Sequence, residues 1–193
     1  MSIDHSQGPL TGIRVVDMSV MISGPLAGMT LADQGAEVIK VESPGLGDMM
    51  RYLGSQKNGI TGIYALHNRG KKSLVVDLKK PEGTEVLRSL VATADVLIQN
   101  FRPGAVERLG FGYEEVKTIN PNIVYVSIAG FGADGPSSNR RVYDNVIQAA
   151  SGLASVQTDP ATGKPAIFKH LICDKVTAYT VAQAITAALF ARE

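Results

Sequence analysis

At 193 residues, with 45% hydrophobic and 19% charged positions, the chain has the make-up of a folded globular protein and not of a disordered segment. Its 19 basic and 18 acidic side chains nearly cancel, which argues against nucleic-acid binding through a broadly basic surface. The single cysteine, Cys173, excludes an intramolecular disulfide and gives no metal-ligand spacing, so no metal site is expected and a reducing, cytoplasmic setting is.

The opening residues 1–8 carry an acid and no apolar core, unlike a secretory signal, and read as a flexible arm ahead of one domain over 9–193. No apolar run reaches the roughly 18 residues of a membrane span. Short β-branched runs at 13–17, 37–42, 73–77, 95–99 and 123–128 have strand length, and several of them are near-continuous apolar runs, as strands buried on both faces of a parallel sheet are. Helical stretches lie between them. In 24–35, Pro25 suits a first helical turn and Gly35 the residue just past a helix end. From Pro81 a helix is predicted with Val86, Leu87, Leu90 and Val91 on one face, and Asp95 begins the next strand.

The pattern is α/β, with two right-handed βαβ units. Residues 43–72 hold six glycines and little periodicity, so they read as a long functional excursion and not as scaffold. After Ile128 comes a loop rich in glycine and serine, then a helix through Tyr143, Val146, Ile147 and Ala150, a second loop over 158–169, and a closing helix after Asp174. That last run stops at Glu193 without a glycine cap or polar tail. This is how a truncated chain ends, with a frayed native terminus as the alternative.

The turns at Ser23-Gly24-Pro25 and Gly45-Leu-Gly47 lack both the G-x-G-x-x-G and the G-K-[ST] spacing, so dinucleotide or triphosphate binding of those kinds is not expected. Arg69, Lys71, Lys72, Lys79, Arg102, Arg108, Arg140 and Arg141 adjoin predicted strand ends. They either converge on a phosphorylated ligand or form a solvated surface. His5, His67 and His170 stand apart from any ligand or triad spacing and read as structural or surface groups. Asp174 differs, because it sits where an aspartate can cap the closing helix. A carboxylate there is expected to have a lowered pKa, which suits a nucleophile better than a general acid.

Several motifs occur together in one order: Pro9-Leu-Thr-Gly-Ile-Arg-Val-Val-Asp-Met-Ser19, Gly24-Pro25, Leu31-Ala-Asp-Gln-Gly-Ala-Glu-Val-Ile-Lys-Val-Glu42 and Gly47-Asp48 with Arg51. They continue with Asn68-Arg-Gly-Lys-Lys-Ser-Leu74, Asp77-Leu-Lys79, Pro81-Glu-Gly83, Ala94-Asp-Val96, Asn100-Phe-Arg-Pro-Gly104, Arg108-Leu-Gly110, Asn120-Pro121, Gly130-Phe-Gly132, Gly135-Pro136, Tyr143-Asp144 and Gln148-Ala149. The series resembles the amino-terminal half of a family III coenzyme A transferase, the CaiB/BaiF family, over nearly the whole chain.

The resemblance implies a Rossmann-like, mostly parallel sheet with flanking helices, in a polypeptide roughly twice this length that forms an interlocked homodimer. It implies acyl-CoA and a free carboxylic acid as substrates, no tightly bound cofactor, and no nucleic-acid or membrane partner. Carried over residue by residue, the nucleophile falls on Asp174. The coenzyme A contacts fall on Ile22 and Ser23, on Asp77, Leu78 and Lys79, on Asn100, Phe101 and Arg102, on Arg108, and on Arg141, Val142 and Tyr143. Ser43 stands where some members have arginine, and no contact is assigned there. α-Methylacyl-CoA racemases of the same fold carry a histidine before the aspartate in the segment matching Tyr143-Asp144, so transfer is favoured over racemisation. A further alternative is a CoA-binding or assembly module, catalytically incomplete and with apolar surface left open.

Overall fold

A computed structural model describes residues 8–132 and 134–193. The arm expected over 1–8 falls outside the described residues except at Gly8, whose carbonyl accepts the Thr11 amide at 3.0 Å in a turn.

The chain begins with β1 (Arg14–Asp17), α1 (Ser23–Asp33) and β2 (Glu37–Glu42). Helix α1 ends as its sequence predicts. Gly35 takes φ of 98°, and the amides of Gly35 and Ala36 return to the carbonyls of Ala32 and Leu31 at 2.9 and 3.1 Å, the paired closure that a left-handed residue after a helix permits. The excursion that follows is more regular than its glycines suggest. It contains a 3-10 turn (Met49–Arg51), a short hairpin of β3 (Gln56–Lys57) and β4 (Ile60–Thr61), and helix α2 (Gly62–Asn68), whose N-cap Thr61 accepts the Tyr64 amide.

The remaining elements are β5 (Lys72–Val75), α3 (Pro81–Val91), β6 (Val96–Gln99), α4 (Ala105–Arg108), α5 (Tyr113–Ile119), β7 (Val124–Ser127), α6 (Asp144–Ala150), α7 (Leu153–Val156) and α8 (Ile172–Arg192). Five strands form one sheet in the order β5-β2-β1-β6-β7, every pairing parallel.

The central strands are buried on both faces, which is why they read as apolar runs. Val16 and Leu97 pack with Leu87, Val91, Phe111 and Val116 on one side. Val15, Val96 and Ile98 pack with Leu31, Val38, Ile185 and Leu189 on the other. Each fully buried aliphatic side chain contributes roughly 1.5–3 kcal/mol of transfer free energy. In α3, Leu87 and Val91 face this core, but Val86 is 47% exposed, because at 100° per residue it lies at the margin of the face that Gly83, Leu87 and Val91 define.

Two features of this topology position the site. The chain runs outward from β1 through β2 to β5 and then returns through α3 to β6 on the far side of β1, so the strand order reverses between β1 and β6. Ligands of open parallel sheets gather at that point, beyond the carboxyl ends of the strands. Helix α8 packs against α1 and β7, and its last turn reaches the opposite edge, where Arg192 pairs with Asp95 at 2.7 Å just before β6. The first turn of α8, with Asp174, therefore lies at the carboxyl edge.

Candidate active site

Beneath that edge runs a network of buried charges, which sequence reading did not anticipate. Asp17 ends β1. Its carboxylate accepts Lys71 Nζ at 2.8 Å, the Ser19 amide at 3.0 Å and the Ser19 hydroxyl, while Lys71 also donates to Pro25 O and Asn68 Oδ1 at 2.7 and 2.9 Å. Burial alone would raise the Asp17 carboxyl; Lys71, Lys40 and these hydrogen bonds outweigh it and bring it to about 2. Burial pulls the Lys71 ammonium down, in the opposite sense, but its three acceptors favour the charged pair.

A second buried pair, Lys40 with Asp48 at 3.0 Å, holds the loop after β1: Lys40 donates to Ser19 O, and Asp48 accepts the amides of Met21 and Met50 at 3.1 and 3.0 Å. Glu42 receives Arg51 through two nitrogens and the Asp48 amide, and Arg51 lies 4.0 Å from the centre of the Tyr64 ring. Burial would raise Glu42, yet Arg51, the Asp48 amide and Tyr64 lower it to about 2. The excursion is thus largely a scaffold.

What this network supports is an unusual turn. Met21 has φ of 70°, a left-handed conformation that costs a residue with a side chain on the order of 1 kcal/mol or more. The other side of the turn is tied to β6, because Asn100 Oδ1 accepts the Val20 amide at 2.9 Å and Asn100 Nδ2 donates to Val20 O at 2.7 Å. The turn forms one wall of a cleft of about 390 Å³, with Met21, Ile22 and Met50 facing Ile167, Phe168 and Leu171, and Tyr143, Asp144 and Asp174 at its polar end.

Asp174 is not the cap of α8. The N-cap is Leu171, without a side-chain bond, and Asp174 is the third residue of the first turn, its amide donating to Asp144 Oδ2 at 3.0 Å. The positive end of that peptide group therefore serves Asp144. The Asp174 carboxylate itself accepts no hydrogen bond from any described residue. Burial first, and then the charge of Asp144, raise it to about 6, the reverse of the lowered value expected for a helix cap. Near neutral pH it is still mostly ionised, and it is more basic than an ordinary carboxylate, which makes it the stronger nucleophile. Burial also raises the neighbouring Cys173 thiol, with Asp144 and Asp174 adding to the effect, so this cysteine is a poor thiolate.

Ile22, Tyr143 and Asp174 come together in this cleft, and Ser23 is buried at the start of α1 beside Ile22. The remaining expected contacts lie in other turns along the same edge. Asp77, Leu78 and Lys79 form the turn after β5, where Asp77 Oδ1 accepts the Lys79 amide at 3.1 Å. Asn100 has its side-chain amide engaged with Val20, and Phe101 packs against the core. Val142, partly buried, fills the space beside Gly130, and Tyr143 is 64% exposed. Of the cations, Arg69, Lys71 and Lys72 are consumed by Asp33, Asp17 and Glu37. Lys79, Arg102, Arg108, Arg140 and Arg141 are exposed and make no ion pair among the described residues.

Asp144, Gln148, Phe168 and His170 also line the cleft and were not singled out as site residues. Asp144 and Gln148 stand four residues apart on α6, a spacing that makes helix neighbours, and this was the available signal. His170 meets Lys175 Nζ at 2.9 Å through Nε2, a contact between separated residues that no spacing rule gives.

The Asp77–Lys79 turn depends on Gly83. A Cβ there would stand 2.1 Å from Asp77 O, so the turn or α3 must shift. Gly83→Ala is expected to destabilise the protein by about 1–3 kcal/mol in urea denaturation, although alanine is the better helix former.

The sequence matches CoA-transferase family III over residues 10–193. It is 42% identical over 188 residues to the succinate–glutarate CoA-transferase of Agrobacterium fabrum, covering 94% of this chain and 47% of that protein. With the human succinyl-CoA:glutarate CoA-transferase it shares 44% identity over 158 residues, covering 81% and 36% respectively. The crystal structure of a CaiB/BaiF family protein from Brucella suis superposes with a TM-score of 0.90 at 39% identity, over 96% of this chain and 50% of that one. The chain spans about half the length of the relatives it matches, or less.

Proposed function

The chain belongs to CoA-transferase family III, and on that premise we propose that it carries the nucleophile for moving coenzyme A from an acyl-CoA thioester to a free carboxylic acid. The observation that carries this reading is Asp174, a carboxylate that accepts no hydrogen bond from any described residue, in an apolar-walled cleft at the sheet's switch point.

A carboxylate oxygen of Asp174 attacks the thioester carbonyl, the C–S bond breaks, and the CoA thiolate leaves a mixed aspartyl-acyl anhydride. The thiolate then attacks the aspartyl carbonyl, releasing the donor acid as its carboxylate and leaving an aspartyl-CoA thioester. The acceptor carboxylate attacks that thioester and expels the thiolate, giving a second anhydride. Attack of the thiolate on the new acyl carbonyl releases the product acyl-CoA and regenerates Asp174. No proton is gained or lost overall. The apolar wall of Met21, Ile22, Met50 and Phe168 serves to keep water from the anhydride.

Coenzyme A lies along the carboxyl edge in this reading, with Ile22 and Ser23 at its thioester end. Lys79, Arg102, Arg108 and Arg141, exposed and free of ion pairs among the described residues, meet its phosphates. The relatives' names point to short dicarboxylic acids as the first donors and acceptors to assay. The homodimer belongs to the same proposal: Val176, Tyr179 and Phe190 of α8 expose apolar surface, 84% of it in the case of Phe190, which sedimentation should find covered by association.

The test is to trap the intermediate with hydroxylamine during turnover of the complete polypeptide with acyl-CoA. Mass spectrometry is expected to find a hydroxamate at Asp174. Coenzyme A transfer with Asp174 unmodified under trapping would refute the covalent route.

A further inference from the structure

The nucleophile's own surroundings raise the question of what directs it. Asp144 is 6% exposed, and Gln148 beside it is 1% exposed. Asp144 Oδ2 takes the Asp174 amide at 3.0 Å, and its other oxygen takes Gln148 Nε2. Gln148 in turn holds the loop that forms the opposite wall of the cleft. Its Oε1 accepts the Phe168 amide at 2.7 Å, and its Nε2 also reaches His170 O at 3.2 Å. One buried carboxylate and one buried amide therefore join α6, the 167–171 loop and the first turn of α8.

We propose that Asp144, anchored by Gln148, is the positioning residue for Asp174: it fixes the first turn of α8 through the Asp174 main chain and presents its negative charge to the nucleophile. The inference rests on the reading of Asp174 as nucleophile for its catalytic consequence, but not for its physical one.

The geometry separates two roles. The hydrogen bond from the Asp174 amide uses the group that would otherwise draw the Asp174 carboxylate inward, so that carboxylate lines the cleft with no donor to it among the described residues. The charge of Asp144 opposes ionisation of Asp174 and, with burial, keeps it basic. Other charged or titratable groups around the cleft come from several elements. The loop supplies Lys169 and His170, the residue before α6 is Tyr143, and α8 itself supplies Cys173 and Lys175. His67 on α2 lies within electrostatic reach of Lys175, and α1 brings no acid to its first turn. Among these, Asp144 is the charge that acts on Asp174.

The experiment is a carbon-13 NMR titration of the side-chain carboxyls in this chain, which needs no turnover. In Asp144→Asn, which keeps an acceptor for the Asp174 amide but loses the charge, the Asp174 midpoint is expected to fall toward that of an ordinary aspartate, with burial alone holding it above. An unchanged midpoint overturns the electrostatic role. In the unmutated protein the Asp174 amide proton is expected far downfield, with a scalar coupling across its hydrogen bond to the Asp144 carboxyl carbon, a readout that survives even if the variant fails to fold. An amide indifferent to Asp144 overturns the hydrogen-bonded role.

In the complete polypeptide, Asp144→Ala is expected to lower kcat by 10-fold or more while KM for acyl-CoA stays within about twofold. A matching rise in KM with kcat intact would mean that Asp144 only shapes the binding site, and would overturn the assignment. If Asp174→Asn proved active while the titration behaved as described, the transfer mechanism would fail and the Asp144–Asp174 coupling would stand.

Discussion

Asp174→Asn in the complete polypeptide is expected to lose coenzyme A transfer by about a thousandfold or more while free coenzyme A binds within about twofold of the unmutated affinity. On the proposed reading the substitution removes the attacking carboxylate but leaves the exposed cations along the carboxyl edge in place. The same variant is expected to be more stable, and this separates the assignment from a merely structural role. Burial and Asp144 hold Asp174 at about 6 instead of 3.8, so ionising it works against the fold. Between those two values the folded protein retains a proton that the unfolded chain has lost, so the penalty grows as pH rises through the window and is complete above about 6.

A shift of this size corresponds to on the order of 2–3 kcal/mol, reduced by the solvent that reaches the cleft. Urea denaturation should therefore find Asp174→Asn stabilised most at pH 8 and roughly half as much at pH 5. Loss of stability in the variant at pH 8 would mean that the carboxylate is held by partners, as an ordinary cap would be. On the proposed reading, an acid kept raised in this way gives up stability for reactivity.

Much of the fold was legible because the residues that specify it act locally. The strand at 96–99 is buried at every residue and its first three positions are apolar because both faces of the sheet are covered there, and Gly35 ends α1 because it alone there adopts a left-handed conformation without strain. The predicted fold class holds for the same reason, whereas the closing helix begins at Ile172 and not after Asp174, which places Asp174 inside its first turn instead of at its cap. The electrostatics of Asp174 did not follow from local sequence, because its environment is made by residues 30 positions away: Asp144 takes the amide that a capping aspartate would have used.

Arg69, Lys71 and Lys72 illustrate the same limit. Each adjoins a strand end, as a phosphate-binding cation would, yet their partners Asp33, Asp17 and Glu37 lie more than 30 residues back along the chain. The excursion over 43–72 read as loop because its order comes from charges in β1 and β2 and not from any apolar period of its own.

That dependence makes Lys71→Met the substitution with the largest expected effect on the fold. It leaves the Asp17 carboxylate fully buried without its ammonium, and removing one partner of such a pair costs about 3–5 kcal/mol. Replacing both partners, in Asp17→Asn with Lys71→Met, is expected to recover much of that loss, since neither charge then remains uncompensated. A double-mutant cycle in urea measures both terms, and an additive result would show that the pair does not act as a unit.

The pH dependence provides a second arm. Asp17 titrates at about 2 instead of 3.8, so the stability it contributes is fully present above the higher value and is lost as pH falls toward the lower one. In Lys71→Met the depression is expected to disappear and the buried carboxyl to rise instead, so the variant should gain relative stability on acidification from pH 7 to pH 5, where the unmutated pair is unaffected. Because Lys71 also donates to Pro25 O, in the helix that Ile22 and Ser23 open, the variant should loosen the Ile22–Ser23 end of the cleft, where the proposed thioester would lie, before it disturbs the Asp174 turn. Coenzyme A affinity is therefore expected to fall in Lys71→Met while the Asp174 amide proton keeps its downfield position.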